Sequence, residues 1–145
     1  MLDESTFKTV ILSVPIVSID ILVINKNKVL LGKRVNKPAQ GFFFSTGGRI
    51  MKNESIDQAI NRISMNELNI KLTSEPKFIG VFEHFYHDSI FNNVSAHYVN
   101  LAYEYKLSDI DNLPMEQHSE YKWFRIDLLE QSSQVHKYVK KYFRK

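Results

Sequence analysis

The chain has 145 residues, 43% of them hydrophobic and 24% charged, with a net charge of +3 and no cysteine, a size for one domain over 1–145 that buries roughly 68–70% of its unfolded surface. The lack of cysteine excludes disulfide frameworks, thiolate metal sites and cysteine nucleophiles, and much of the positive excess sits in Lys137, Lys140, Lys141, Arg144 and Lys145, leaving no basic stripe for nucleic acid. No apolar run nears the ~18 residues of a membrane span, and the acidic start Met1-Leu2-Asp3-Glu4 lacks a leader's basic and apolar regions, so a cytoplasmic protein with no membrane partner is expected.

Phe7, Val10, Ile11 and Val14 recur at helical spacing over 3–14, after Asp3 and Ser5 as caps, and Pro15 ends that helix. The β-branched run Ile16 to Ile24 predicts a strand, and Asn25-Lys26-Asn27-Lys28 turns it into a second, Val29 to Lys33. Phe42-Phe43-Phe44 reads as a short aromatic strand and 45–54 as a loop holding Gly47-Gly48. Ser55 and Gln58 form a capping box for a helix running to about Asn69. Phe78 to His87 and Ala96 to Leu107 predict two long strands around a loop at 88–95. A further loop over 108–120, a strand from Tyr121 to Ile126 and a basic terminal helix from Val135 to Phe143 complete the chain. Strands before and after one central helix predict an α/β fold, a mixed sheet covered by helices.

At 100° per residue, Ile56, Ala59, Ile60 and Ile63 share one face of the central helix, and Glu67 lies on that same face. A carboxylate on an apolar stripe costs free energy unless paired. Either Glu67 reaches solvent or an arginine at the helix end, or it is a metal ligand or acid–base group. Asp20 interrupts the apolar run Ile16 to Ile24 and is either paired inside or functional. His84, His97 and Tyr98 sit in strands among aromatics, where core packing competes with a ligand role. Gly47-Gly48 marks either a turn or a close backbone approach to an ion or phosphate. His136 and the terminal lysines read as a solvated face.

From Gly48 the chain reads Gly, five residues, Glu54, seven residues, Arg62, then Ser64, Glu67 and Ile70. This spacing resembles the Nudix box, Gly-x5-Glu-x7-Arg-Glu-U-x-Glu-Glu-x-Gly-U with U bulky and apolar. Gly48, Glu54, Arg62, Glu67 and Ile70 match; Ile63, Ser64, Asn66 and Asn69 depart. Without carboxylates at 63 and 66, the remaining charge suits one divalent cation better than a cluster. One cation can neutralise a diphosphate leaving group but is a poor platform for a metal hydroxide attacking phosphorus. Agreement outside the box is more specific. Pro15 to Asp20, Leu30 to Arg34, Pro38 to Gly41, Gly47 to Arg49, Met65 with Glu67-Leu68, Gly80-Val81, His84 to Tyr86, His97 to Val99, Glu116 to His118 and Trp123 resemble the GDP-mannose mannosyl hydrolase branch of the superfamily. Thr46 and Asn69 replace that branch's proline and glycine.

The resemblance implies a Nudix-type α/β/α sandwich with a mixed β-sheet. It implies Mg²⁺-dependent hydrolysis of GDP-mannose, and of GDP-glucose, at the sugar C1–O bond with inversion, giving GDP and free hexose. It places one Mg²⁺, replaceable by Mn²⁺, on the carbonyl of Gly47, the carboxylate of Glu67 and the side-chain carbonyl of Gln117. It puts Arg34 on the diphosphate, with Arg49 a second cation, and gives His118 the general base's role. Asp20, His84 and Tyr98 match substrate-binding positions. Leu2 and Phe7 match an N-terminal segment that holds the nucleotide, although Phe7 is equally well spaced for the core. Arg62 is expected to brace the box through Glu54 or Glu67, and the family pairs as homodimers. The alternatives are a pyrophosphohydrolase attacking phosphorus and a non-catalytic nucleotide-sugar sensor.

Overall fold

The first helix begins where Asp3 accepts a hydrogen bond from the Thr6 amide at 2.8 Å, occupying an otherwise free N-terminal donor. In chain order the elements are α1 (Glu4–Ser13), β1 (Ile16–Asn25), β2 (Lys28–Lys33), β3 (Phe43–Phe44), β4 (Thr46–Arg49), α2 (Ile56–Leu68), β5 (Lys77–Tyr86), β6 (Ala96–Lys106) and β7 (Tyr121–Arg125), followed by a 3₁₀ turn (Ile126–Gln131) and α3 (Lys137–Lys141). The computed structural model describes residues 2–107 and 121–144. The predicted loop over 108–120 lies outside them.

Among the described residues, seven strands form one mixed sheet. β1 runs parallel to β6, from Ile16 opposite Tyr98 to Ile24 opposite Lys106. Its other edge is shared. Ser18 to Ile21 pair with β4, and Ile24 and Asn25 pair with β2. β2 continues to β7 and meets β3 at Gly32 and Lys33, while β5 closes the far edge against β6.

β4 corrects the expectation of a loop over 45–54. Gly47 and Gly48 carry no side-chain signal for a strand, yet they pair in register with Asp20 and Ile19. The terminal helix is also shorter than its periodicity suggests. Val135 instead bridges to Phe43, and the His136 side chain caps α3 by accepting from the Tyr138 amide.

Alternation along β1 builds two cores. Ile19, Ile21 and Val23 pack with Ala59, Ile60, Ile63 and Leu68 of α2. Leu22 and Ile24 pack on the opposite side with Leu129, Val135, Tyr138, Val139 and Tyr142. The sheet thus lies between α2 and the C-terminal elements, an α/β/α sandwich. On the second side, nearer the start of β1, the alternation presents Ser18 and Asp20 in place of apolar residues. No helix among the described residues is long and apolar enough to cross a membrane.

Both halves of the α2 capping box are made, Gln58 N–H to Ser55 Oγ at 3.1 Å and Ser55 N–H to Gln58 Oε1 at 2.9 Å. The buried stripe is Ala59, Ile60, Ile63, Ser64 and Leu68. Ile56 and Glu67, placed on the same side by the helical period, are nevertheless exposed, Glu67 although its neighbour Leu68 is buried. Glu67 therefore bears no burial cost. Asn69 ends the helix in the left-handed conformation, φ +53°. Asparagine tolerates that conformation, so it can stand where the resembled branch has glycine. Arg62 grips Glu54 through two hydrogen bonds, of 2.7 and 3.0 Å, and reaches the Arg49 carbonyl at 2.8 Å. This pairing, chiefly the Arg62 hydrogen bonds, holds the Glu54 carboxyl down to about 2.

Candidate active site

A cavity of about 270 Å³ opens on the polar side of β1. Ser18 and Asp20 of β1, His84 and Tyr86 of β5, and Tyr98 and Asn100 of β6 form its floor. Register explains the gathering. Residues two apart on each strand share a face, and Tyr98 lies beside both Ile16 of β1 and His84 of β5.

Asp20 is nearly fully buried. Burial pushes its carboxyl up to about 6, against the lowering influence of Tyr142, Asn100, Ser45 and the Arg34 charge. The Tyr142 hydroxyl donates to Asp20, and Asn100 Nδ2 donates to Ser18 Oγ at 2.9 Å. The His84 ring stacks on Tyr138, with centroids 4.4 Å apart and planes 2° apart. Burial first, then the charges of His136 and Lys141, lower it to about 4, so the ring is neutral at physiological pH.

Gly47 and Gly48 form another wall beside Arg49. A Cβ at Gly47 would collide with Asp20 Oδ1 and lie 2.6 Å from the Ile19 carbonyl oxygen. Only glycine lets β4 approach β1 this closely. Arg34 enters from the far end of a hairpin set by Arg34 N–H to the Phe42 carbonyl (2.9 Å) and Gly41 N–H to the Arg34 carbonyl (2.8 Å), with Gly41 at φ +86°. Its Nε donates to the Pro38 carbonyl at 2.9 Å. That fixes the fork while its Nη groups make no hydrogen bond to the described residues. Arg49 lies over the Phe7 ring, 5.6 Å from the centroid, so α1 closes the cavity beside a cation.

The cavity thus gathers Asp20 of β1, Arg34 after β2, Gly47 and Arg49 of β4, His84 of β5, Tyr98 of β6 and Phe7 of α1. Leu2 and Glu67 are exposed and do not line it. Gln117 and His118 lie outside the described residues. The expectation of a solvated His136 is overturned. It is buried among Phe42, Phe44, Tyr86 and Tyr138, and its Nδ1 accepts from the Tyr138 amide. Its place as a helix cap, rather than on a helix face, is what the charge pattern hid. Ser18, Asn100, Tyr86 and Tyr142 were not singled out in the sequence. A signal existed for three of them, since Ser18 precedes Asp20 by two positions, Tyr86 follows His84 by two and Asn100 follows Tyr98 by two.

The fit to a cation rests on the neighbourhood of Gly48. Its Cβ position is 3.3 Å from Ile63 Cγ1, which sets the glycine strand against α2 one turn before Glu67. The Glu67 carboxylate is exposed and has no ion-pair partner among the described residues. Peptide carbonyls plus one carboxylate suit a hard divalent ion in both chemistry and charge. No three His, Cys, Asp or Glu gather for a metal among the described residues.

Acid is expected to weaken the fold. His84 and His136 are each held down to about 4 from 6.5, chiefly by burial. The unfolded chain protonates them first, so their contribution is full above pH 6.5 and is lost as pH falls to about 4. At about 1.4 kcal/mol per pH unit, each is worth at most about 3 kcal/mol. Asp20 acts with the opposite sign, because its raised value means that its burial cost is relieved as pH falls through about 6 towards 3.8. This returns about 3 kcal/mol. Two histidines outweigh one carboxyl, so Tm should fall between pH 6.5 and 4 in thermal melts. A flat or rising Tm would contradict this assignment.

A family model described as NUDIX domain matches residues 14–144. The low-salt glycan biosynthesis protein Agl8 of Haloferax volcanii is 38% identical over 141 residues, 96% of this chain and 86% of that protein. The crystal structure of a MutT NUDIX hydrolase from Burkholderia pseudomallei aligns with a TM-score of 0.70 at 22% identity, covering 90% of this chain and 97% of that one. The NUDIX domain of Shewanella oneidensis NrtR, complexed with ADP ribose, aligns with a TM-score of 0.65 at 18% identity, covering 97% and 89%. At these identities the solved structures show the shared fold.

Proposed function

The chain belongs to the Nudix family of hydrolases, and from that premise we propose that it hydrolyses a GDP-hexose, GDP-mannose or GDP-glucose, at the sugar C1–O bond with inversion, releasing GDP and free hexose. The observation carrying this reading is Ile63. It stands where the family box has a carboxylate, and it is buried against Gly48 and the β1 core. With Asn66 beside it, the helix offers one acid at its C-terminal end, Glu67. That set suits charge neutralisation of a diphosphate better than assembly of a multi-metal nucleophile. The relationship to a protein named for glycan biosynthesis supports a sugar-nucleotide substrate.

In this reading Arg34 holds the diphosphate, its Nη groups, which make no hydrogen bond to the described residues, matching two phosphate oxygens, and Arg49 adds a second charge. Asp20, His84 and Tyr98 orient the hexose, and Leu2 and Phe7 border the nucleotide. His118 takes the proton of the attacking water. Gly47, Glu67 and Gln117 would hold Mg²⁺ or Mn²⁺, which when bound neutralises charge gathering on the departing GDP. The cavity of about 270 Å³ falls just below the roughly 300–1,000 Å³ typical of ligand pockets, so part of the nucleotide extends over its rim. The active species is a cytoplasmic homodimer.

Product analysis after incubation with GDP-mannose and Mg²⁺ tests the proposal. GDP and mannose are expected. GMP and mannose 1-phosphate would establish pyrophosphohydrolase action instead, and tight nucleotide binding without turnover would indicate a sensor. Glu67→Gln is expected to weaken Mn²⁺ binding, followed by electron paramagnetic resonance, and to raise the Mg²⁺ concentration needed for turnover. Unchanged metal affinity would remove Glu67 from the ligand set.

A further inference from the structure

Tyr142, in the turn after α3, does not line the cavity, yet its hydroxyl meets three of the polar side chains that do. It donates to Asp20 Oδ2, lies 3.1 Å from Asn100 Oδ1 and lies 3.2 Å from His84 Nε2. These three belong to β1, β6 and β5, and the phenol itself is buried. A phenolic oxygen has one proton and two lone pairs. Asn100 commits its amide nitrogen to Ser18 Oγ, which turns its oxygen towards Tyr142. Two acceptor oxygens therefore draw on the single hydroxyl proton. The remaining contact is attractive only if His84 Nε2 carries a proton and donates it to the oxygen.

The His84 ring is neutral, because burial holds it down to about 4, so a proton on Nε2 leaves Nδ1 with its lone pair. Tyr138 already fixes the plane of the ring by stacking. What the Tyr142 hydroxyl adds is the choice of nitrogen. We propose that Tyr142 is a positioning residue that locks His84 in the Nε2–H tautomer and pins one oxygen of Asp20, so that Nδ1 of His84 serves the cavity as a hydrogen-bond acceptor for a substrate hydroxyl. The identity of that hydroxyl as one of a hexose rests on the function proposed above; the tautomer does not.

The test uses the full chain labelled with ¹⁵N-histidine, with long-range ¹H–¹⁵N correlation spectra near pH 7.5 and His84→Gln to assign the ring. In the unsubstituted protein His84 should show a protonated Nε2 and a lone-pair Nδ1. Tyr142→Phe keeps the ring packed edge-on to Phe82, at 4.8 Å and 81°, and removes only the hydroxyl. Its His84 should shift towards Nδ1–H or a mixture. A protonated Nδ1 in the unsubstituted protein, or an unchanged pattern in Tyr142→Phe, would overturn the proposal. The first criterion stands even if the variant does not fold.

Kinetics supply a second arm. Tyr142→Phe should lower kcat/KM for the nucleotide sugar about tenfold, the loss of roughly one hydrogen bond. In a His84→Gln background it should cost clearly less, leaving only the part that acts through Asp20. An equal further loss there would reduce Tyr142 to a packing role. Should GDP-mannose not be hydrolysed at all, the functional reading fails, while the spectra still decide the role of Tyr142.

Discussion

Replacing Gly47 by alanine is expected to cost about 1–3 kcal/mol of stability, the usual penalty for overpacking, and to abolish turnover. The added methyl would meet Asp20 Oδ1 and the Ile19 carbonyl at once. Neither can give way cheaply, because Ile19 is locked between β4 and β6 and Asp20 is held by Tyr142. Relief requires β4 to move away from β1, taking with it the Gly47 carbonyl and the Arg49 side chain. Gly48→Ala is the matched control. Its methyl would lie 3.3 Å from Ile63 Cγ1, a contact that a shift of a few tenths of an ångström relieves, so a milder effect is expected. Urea unfolding with kcat/KM on both variants checks this. A Gly47→Ala protein of ordinary stability and activity would show that the close approach of β4 to β1 does not matter.

His118→Ala should lower kcat by about 10²–10⁴-fold with little change in KM, as expected for loss of a general base. The family resemblance that includes Glu116-Gln117-His118 nominates this residue, which lies outside the described residues. The cavity itself supplies the supporting argument. Its own histidine, His84, is held down to about 4 and engages Tyr142 through Nε2. So weakly basic an imidazole gives little driving force for taking a proton from water at neutral pH. Near-normal kcat in steady-state assays would remove His118 as the base. A rise in KM alone would make it a binding residue.

Much of the frame was legible because periodicity and capping act locally. Pro15, the β-branched run of β1 and the Ser55–Gln58 box each mark their element without help from the rest of the chain. Asp20 was legible as a carboxylate interrupting an apolar strand, and it proves to be the buried centre of the cavity floor. β4 was not legible, since two glycines form a strand here only because β1 supplies the partner and leaves no room for a side chain. Helical spacing placed Glu67 on the apolar side of α2 but could not show that its own position is uncovered while Leu68 beside it is buried. Tyr142 was invisible for a different reason. Its meaning depends on a hydrogen bond spanning 122 positions, which no local pattern reports. Arg62 read correctly as a brace, because Glu54 eight residues earlier offers a two-oxygen partner.

Hydrolysis of GDP-mannose in ¹⁸O-water with Mg²⁺, followed by mass spectrometry of both products, bears most directly on which atom is attacked. Water attacking C1 predicts label in mannose and none in GDP. Attack on the β-phosphorus can release the same two products but places the label in GDP, and that result would contradict cleavage of the C1–O bond.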